Sequence, residues 1–166
     1  MKVADTNQND PDIIRKFTGQ FDFVLDAKGR VSIPARIREI IERDNLKDLT
    51  LRLFEEDGVK FIRAYPTDYY SVKILGKLSE MDGESMEQTF AIMRITANAQ
   101  QVKVDGQGRL NIPGDMLKKS KISKDIRFVG MNSFFDIWDP EVCDEFRAKM
   151  LERMQNRSGN ENGGSS

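Results

Sequence analysis

The sequence predicts an α+β fold built of two similar halves, and three observations carry that expectation. Asp26, Gly29, Arg30, Ile33 and Pro34 recur as Asp105, Gly108, Arg109, Ile112 and Pro113, all shifted by 79 positions with no gap. An internal repeat of this kind decides the architecture before any local feature does. The segments after the two copies also match in kind: a short helical stretch, then two strand-like runs joined by a turn. Each half then reaches a proline, Pro66 or Pro140, which can open a helix at its first position because its missing N–H would be unpaired there.

Taken in order, "FDFVLD" alternates apolar and polar residues, so Phe21, Phe23 and Leu25 share the buried face of a strand. After the first repeated element, Ala35 to Arg43 reads as a helix with Ile37, Ile40 and Ile41 at helical spacing. The strands "LTLRLF" and "VKFIRAY" come next, joined by an Asp57-Gly58 turn. Then come the helix "TDYYSVKILGKLSEM", a break at "DGES", a helix from Met86 to Thr96 and the strand "AQQVKVD". The second half reads "GDMLKKS" as a short helix, "IRFVG" and "SFFDIW" as strands about a Met131-Asn132 turn, and "EVCDEFRAKMLERM" as the closing helix. In that last helix Val142, Phe146, Met150 and Met154 step by four residues and mark one apolar face.

A chain of 166 residues suits one domain or two small halves sharing a core. No apolar run approaches the roughly 20 residues that span a bilayer, so no membrane association is expected. The opening "MKVADTNQNDPD" lacks the layout of a secretory signal, and the lone Cys143 cannot form an intrachain disulfide, which together favour a cytoplasmic setting. The net charge of -1 gives no global attraction to nucleic acid, so any such binding must come from a local basic patch. The chain has no histidine, which excludes histidine-based triads and the usual zinc sites. An enzyme is therefore the least favoured class, and no cofactor or small-molecule substrate is expected.

The repeated element itself carries the candidate site. Asp26 can hold nearby turn amides, and Gly29 can take the positive φ that a residue with a Cβ resists. Lys28 and Arg30 then stand at the tip and shoulder of a tight bend, with Asp26 spaced to orient the Arg30 guanidinium. Lys28, Arg30, Arg36 and Arg38 fall within eleven residues that contain no acid before Glu39. Such cations hold phosphate oxygens, and arginine can read guanine through O6 and N7. The blander readings are an Asp-Arg brace that only closes a hairpin, and helix arginines that pair with Glu39 and Glu42. In the second copy Gln107 replaces Lys28, Asp115 replaces Arg36 and Leu117 replaces Arg38, while Arg109 is kept. The first half is thus expected to dominate any polyanion contact.

Other candidates carry less. "GQGR" lacks the full dinucleotide fingerprint and no phosphate-loop motif is present. Glu55, Glu56 and Asp57 read as a solvated turn, Trp138 with Phe134 and Phe135 as core or subunit contact, and Cys143 as a buried thiol.

"DAKGRVSIPARIRE" resembles the signature of the SpoVT/AbrB swapped-hairpin DNA-binding domains, and two copies at this spacing resemble the MraZ family, from about Phe17 to Met154. That resemblance implies two pseudo-symmetric AbrB-like halves forming a small β-barrel with flanking helices. The chain then divides into a first repeat over 15–83, a connecting helix over 84–98 and a second repeat over 99–155, flanked by an extension over 1–14 and a tail over 156–166 with too few apolar groups to offset ordering entropy, which are expected to be disordered. The resemblance further implies a cytoplasmic, nucleoid-associated transcriptional regulator, a repressor of its own division and cell wall gene cluster. Such a protein binds short G-rich direct repeats in double-stranded DNA as a ring-shaped homo-oligomer. The family's Asp-x-x-x-Arg element falls on Asp26 to Arg30 and on Asp105 to Arg109, so the DNA-binding set is Asp26, Lys28, Gly29, Arg30, Arg36, Arg38 and Arg109. An antitoxin-like protein-interaction module, using the polar tail after Met154, is the alternative.

Overall fold

Alternating apolar and polar side chains make Gln20–Val24 a strand, β1, with Phe21 and Phe23 turned inward and Val24 left exposed. The computed structural model describes residues 15–161, so the extension expected to be disordered over 1–14 lies outside it, whereas the tail expected to be disordered over 156–166 is helical as far as Glu161 and lies outside it only from 162. Beyond β1 come β2 (Arg30–Ser32), α1 (Ala35–Arg43), β3 (Asp48–Glu56) and β4 (Val59–Pro66). A helical run is next: α2 (Thr67–Tyr69), a π-helical segment (Tyr70–Leu75) and α3 (Gly76–Leu78). Then come α4 (Met86–Thr96), β5 (Ala99–Lys103), β6 (Arg109–Asn111), α5 (Gly114–Lys119), β7 (Asp125–Gly130), β8 (Phe135–Trp138) and α6 (Pro140–Glu161). The expected helix at Ala35 to Arg43 has the observed bounds, and it buries the three isoleucines that announced it.

Six strands form one antiparallel sheet in the order β1-β7-β8-β4-β3-β5, and β2 pairs with β6 in a separate two-stranded ribbon. Exchanging β1 with β5, β2 with β6, β3 with β7 and β4 with β8 leaves every pairing unchanged. Val31 lies opposite Leu110 and Ile62 opposite Ile137. The closed barrel that the resemblance implied is not formed by the described residues. Closure would need the edge strands β1 and β5 to pair. Instead the chain leaving each of them turns through Asp26 or Asp105 and gives its next three residues to the ribbon.

One core serves both halves. Val31, Ile33, Ile37 and Leu51 pack in the same cluster as Leu110, Ile112, Met116 and Phe128, all nearly inaccessible to water. Each such side chain contributes roughly 1.5–3 kcal/mol on burial, so separating the halves would expose most of the apolar surface that stabilises them. On the other sheet face Phe54, Phe61, Trp138 and Phe146 stack in series at 5.2, 4.1 and 5.2 Å between ring centroids, beside buried Cys143. Arg127 bridges Asp22 of β1 and Asp144 of α6 at 2.7 and 2.6 Å, tying sheet edge to closing helix.

Some local expectations shift. Pro140 opens α6, whereas Pro66 ends β4 and caps α2. The Met131-Asn132 turn extends to Phe134, because Asn132 is drawn into a bridge with Phe17. α6 runs to Glu161, beyond the expected boundary at 155, since each residue added to a formed helix gains a backbone hydrogen bond. Only the start of its apolar stripe is used: Val142 and Phe146 pack on Trp138, while Met154 and Leu151 are exposed.

Candidate nucleic-acid interface

The two repeated elements fold into the same turn. In the first, Asp26 Oδ1 accepts hydrogen bonds from the backbone N–H groups of Lys28 and Arg30, both at 2.9 Å, and Oδ2 accepts one from Arg30 Nε at 2.8 Å. In the second, Asp105 Oδ1 accepts from the N–H groups of Gln107 and Arg109, both at 2.9 Å, and Oδ2 from Arg109 Nε at 2.9 Å. Gly29 and Gly108 complete the bends at φ of 76° and 71°, the left-handed region that a Cβ disfavours. Both carboxyls are held below the ordinary aspartate range, chiefly by the backbone N–H of the arginine four residues on; desolvation opposes this, and the guanidinium and the second turn amide add to the lowering.

Each turn is braced by the opposite half. Ile33 N–H donates to the Gly108 carbonyl at 3.0 Å and Ile112 N–H to that of Gly29 at 3.1 Å, extending the β2–β6 ladder into both bends. Within the ribbon Arg30 faces Asn111 and Ser32 faces Arg109. Val31 and Leu110 point into the core, so strand alternation puts Arg30, Ser32, Arg109 and Asn111 together on the outer face. Arg30 and Arg109 are diagonal neighbours across the ladder, which places them about 7–8 Å apart. Their Nε atoms are committed to the aspartates, and the forked ends of both guanidiniums make no other hydrogen bond to described residues.

Lys28 is exposed at the tip of the first turn, without an ion pair among the described residues. Arg36 is exposed on α1, with its guanidinium beside Gly19 where the chain enters β1. Arg38 does not cover its own turn. Its Cδ lies 2.6 Å from where a Cβ on Gly108 would stand, so its stem crosses the second turn, and its Nε is 3.9 Å from Glu42. Its counterpart Leu117 crosses the first turn in the same way, 3.5 Å from the corresponding point on Gly29. The second turn therefore regains from α1 a cation that its own half lacks. Sequence reading missed this exchange, and it passed over Ser32 and Asn111; the alternation in "RVS" and "RLN" about the buried Val31 and Leu110 is the signal that marks them.

Trp138 is buried, as a core residue is, and has no open face on which a base could stack. Among the described residues no group of three or more His, Cys, Asp or Glu side chains gathers to hold a metal ion, and no helix is long and apolar enough to cross a membrane. The ribbon presents a pair of pre-oriented guanidiniums on a doubly braced support.

A family model described as "MraZ protein, putative antitoxin-like" matches residues 95–162. The chain is 33% identical over 132 residues to the transcriptional regulator MraZ of Thermoanaerobacter pseudethanolicus, covering 77% of this chain and 84% of the relative. It is 31% identical over 131 residues to that of Cytophaga hutchinsonii, with 78% and 83% covered. Over 143 residues it is 27% identical to that of Rhodospirillum rubrum, with 82% and 88% covered. The chain belongs to the MraZ family, a family of transcriptional regulators and not of enzymes.

Proposed function

We propose that this chain is a cytoplasmic, nucleoid-associated transcriptional regulator that binds double-stranded DNA through the β2–β6 ribbon, each of its two halves being an AbrB-like swapped-hairpin unit. The observation that carries the reading is the Asp-Arg brace, present twice on one exposed face. A guanidinium already fixed by a carboxylate loses little freedom on meeting guanine O6 and N7, and its free fork is the part that makes that two-pronged contact. Arg30 and Arg109 are the base readers, Asp26 and Gly29 set the geometry, and Lys28, Arg36 and Arg38 hold phosphates. The target is a set of short G-rich direct repeats upstream of a division and cell wall gene cluster, which the protein represses as a ring-shaped homo-oligomer. Successive protomers on successive repeats gain avidity through effective concentration, which compensates for the few cations on each.

A titration of the purified protein against its own upstream region, with the repeats intact and mutated, tests this. Arg30→Ala abolishes specific binding and Arg109→Ala weakens it less, because Lys28 accompanies the first turn and Gln107 the second. Affinity falls steeply as salt rises, as phosphate contacts release counterions. Equal affinity of wild type and Arg30→Ala would sink the reading. An antitoxin-like role has its support in the family's description, and capture of a stoichiometric protein partner with no shift of promoter DNA would favour it instead.

A further inference from the structure

Helix α4 carries Met86, Phe90, Ile92, Met93 and Ile95, yet none of its side chains is buried. Met86, Phe90 and Met93 are 79, 63 and 56% exposed, and their spacing puts them on one face. The segment leading into this helix holds Glu80, Asp82 and Glu84, with Glu87 in the first turn, and no lysine or arginine between them. These acids make no ion pair among the described residues. The segment is nonetheless well defined: Ser85 Oγ accepts from Gln88 N–H at 3.1 Å, Gln88 Oε1 from Gly83 N–H at 3.1 Å, and Thr89 Oγ1 donates to the Gly83 carbonyl at 2.9 Å. The result is an acidic knob with an apolar flank.

A complementary cavity of about 320 Å³ lies between the β3–β4 turn, the end of α5 and the first turns of α6. Its apolar lining is Val59, Val142 and Phe146, and its cations are Lys60, Lys119, Lys121 and Lys149. Lys60 stands 3.6 Å from Glu55, but the other three lysines have no acidic partner among the described residues. Of the two acids on the lining, Asp57 is taken by Arg153 at 2.7 Å, which leaves Glu145 alone against them.

We propose that the acidic knob of one copy docks into the lysine-rimmed cavity of a second copy, with Met86 and Phe90 against the apolar lining and Glu84 and Glu87 facing Lys119 and Lys121. The inference rests on the homo-oligomer reading above and assigns the surfaces that make the contact. Knob and cavity are different patches, so a docked pair keeps one knob and one cavity free, and repetition of the contact closes a ring or extends a filament.

The test measures solution mass by sedimentation of the full chain. Lys119→Glu/Lys121→Glu and Glu84→Lys/Glu87→Lys alter exposed residues only, so both fold, which matching thermal unfolding checks. Each variant alone falls to the monomer mass of 19.0 kDa. An equimolar mixture of the two regains the wild-type mass, because reversed cavity meets reversed knob while the two native patches also meet. Wild type at monomer mass overturns the homo-oligomer reading together with this inference. An assembled wild type whose variants keep its mass, or whose variant mixture stays monomeric, overturns the docking alone. A lysine variant that keeps its mass but loses DNA affinity also overturns it, and makes the cavity a phosphate contact.

Discussion

The turns at Asp26 and Asp105 share every hydrogen bond, to within 0.1 Å, and differ in what they carry. One bears Lys28 at its tip and lies under Leu117; the other bears Gln107 and lies under Arg38. The common part is what the backbone requires, a carboxylate to hold two turn amides and a glycine for the positive φ. The unlike part makes none of these hydrogen bonds, and so can vary without altering the turn. The repeat therefore keeps one scaffold and carries two unlike tips, with the helix of each half covering the tip of the other.

The sharpest way to break the comparison is to ask whether the halves fold separately. Leu110 is fully buried opposite Val31, at the centre of the ribbon. Leu110→Ala is expected to cost about 2–5 kcal/mol, by lost transfer energy and the cavity left behind. Denaturant unfolding at fixed protein concentration should show one cooperative transition, displaced as a whole, with Val31→Ala displacing it less. Two transitions, only one of them displaced, would mean that each half holds its own core.

Next in size is the loss of either glycine. Gly29→Ala and Gly108→Ala each force a side chain into the left-handed region, at about 1–2 kcal/mol, so their stability losses should be close. Their effects on DNA should part. A methyl at residue 108 meets Arg38 Cδ at 2.6 Å and must push that flexible side chain aside, whereas at residue 29 the nearest groups stand at 3.5 Å. Promoter titration should show Gly108→Ala losing affinity to the same degree as a combination with Arg38→Ala. If Arg38→Ala lowers the affinity of Gly108→Ala further, the cross-half contact carries no function.

How much of this was legible in the sequence depends on the range of the interactions. The turn geometry was readable from Asp, Gly and Arg at fixed spacing, because the hydrogen bonds within each turn span at most four residues. Helix α1 was readable from Ile37, Ile40 and Ile41 for the same reason. The exchange of Arg38 and Leu117 between turns was not, since it depends on β2 pairing with β6 across the chain. Nor was the open sheet, whose closure is a question of which edges meet. The π-helical pitch of Tyr70–Leu75 also left no mark in the periodicity; there Tyr70 is buried and its hydroxyl donates to the Ile95 carbonyl at 3.0 Å.

A smaller effect should come from moving a tip charge between the turns. Gln107→Lys makes the second tip resemble the first, and Lys28→Gln does the reverse. If both tips meet phosphate, the slope of log affinity against log salt steepens by about 0.9 in the first variant and flattens by about the same in the second. Promoter titrations at several salt concentrations measure it. A flattening with Lys28→Gln but no steepening with Gln107→Lys would confine DNA to the first half, as the charge difference between the copies suggested.

The smallest expected effect tests whether the two scaffolds are equal in energy as well as in geometry. Asp26 and Asp105 both have their folded-state pKa held below the ordinary 3.8, by the same donors in the same order. Their contribution to stability is therefore fully present above that value and is lost as pH falls through the lower folded pKa. Both carboxylates are exposed, so solvent screening keeps the contribution small. Wild type should be more stable than Asp26→Asn near neutrality, and the gap should close as pH drops below about 4, where the unfolded aspartate takes up its proton first. Asp105→Asn should trace the same curve. If the two curves separate, the Lys28 tip or the Leu117 cover alters the brace itself, and the division between a common scaffold and a variable cargo fails at its root.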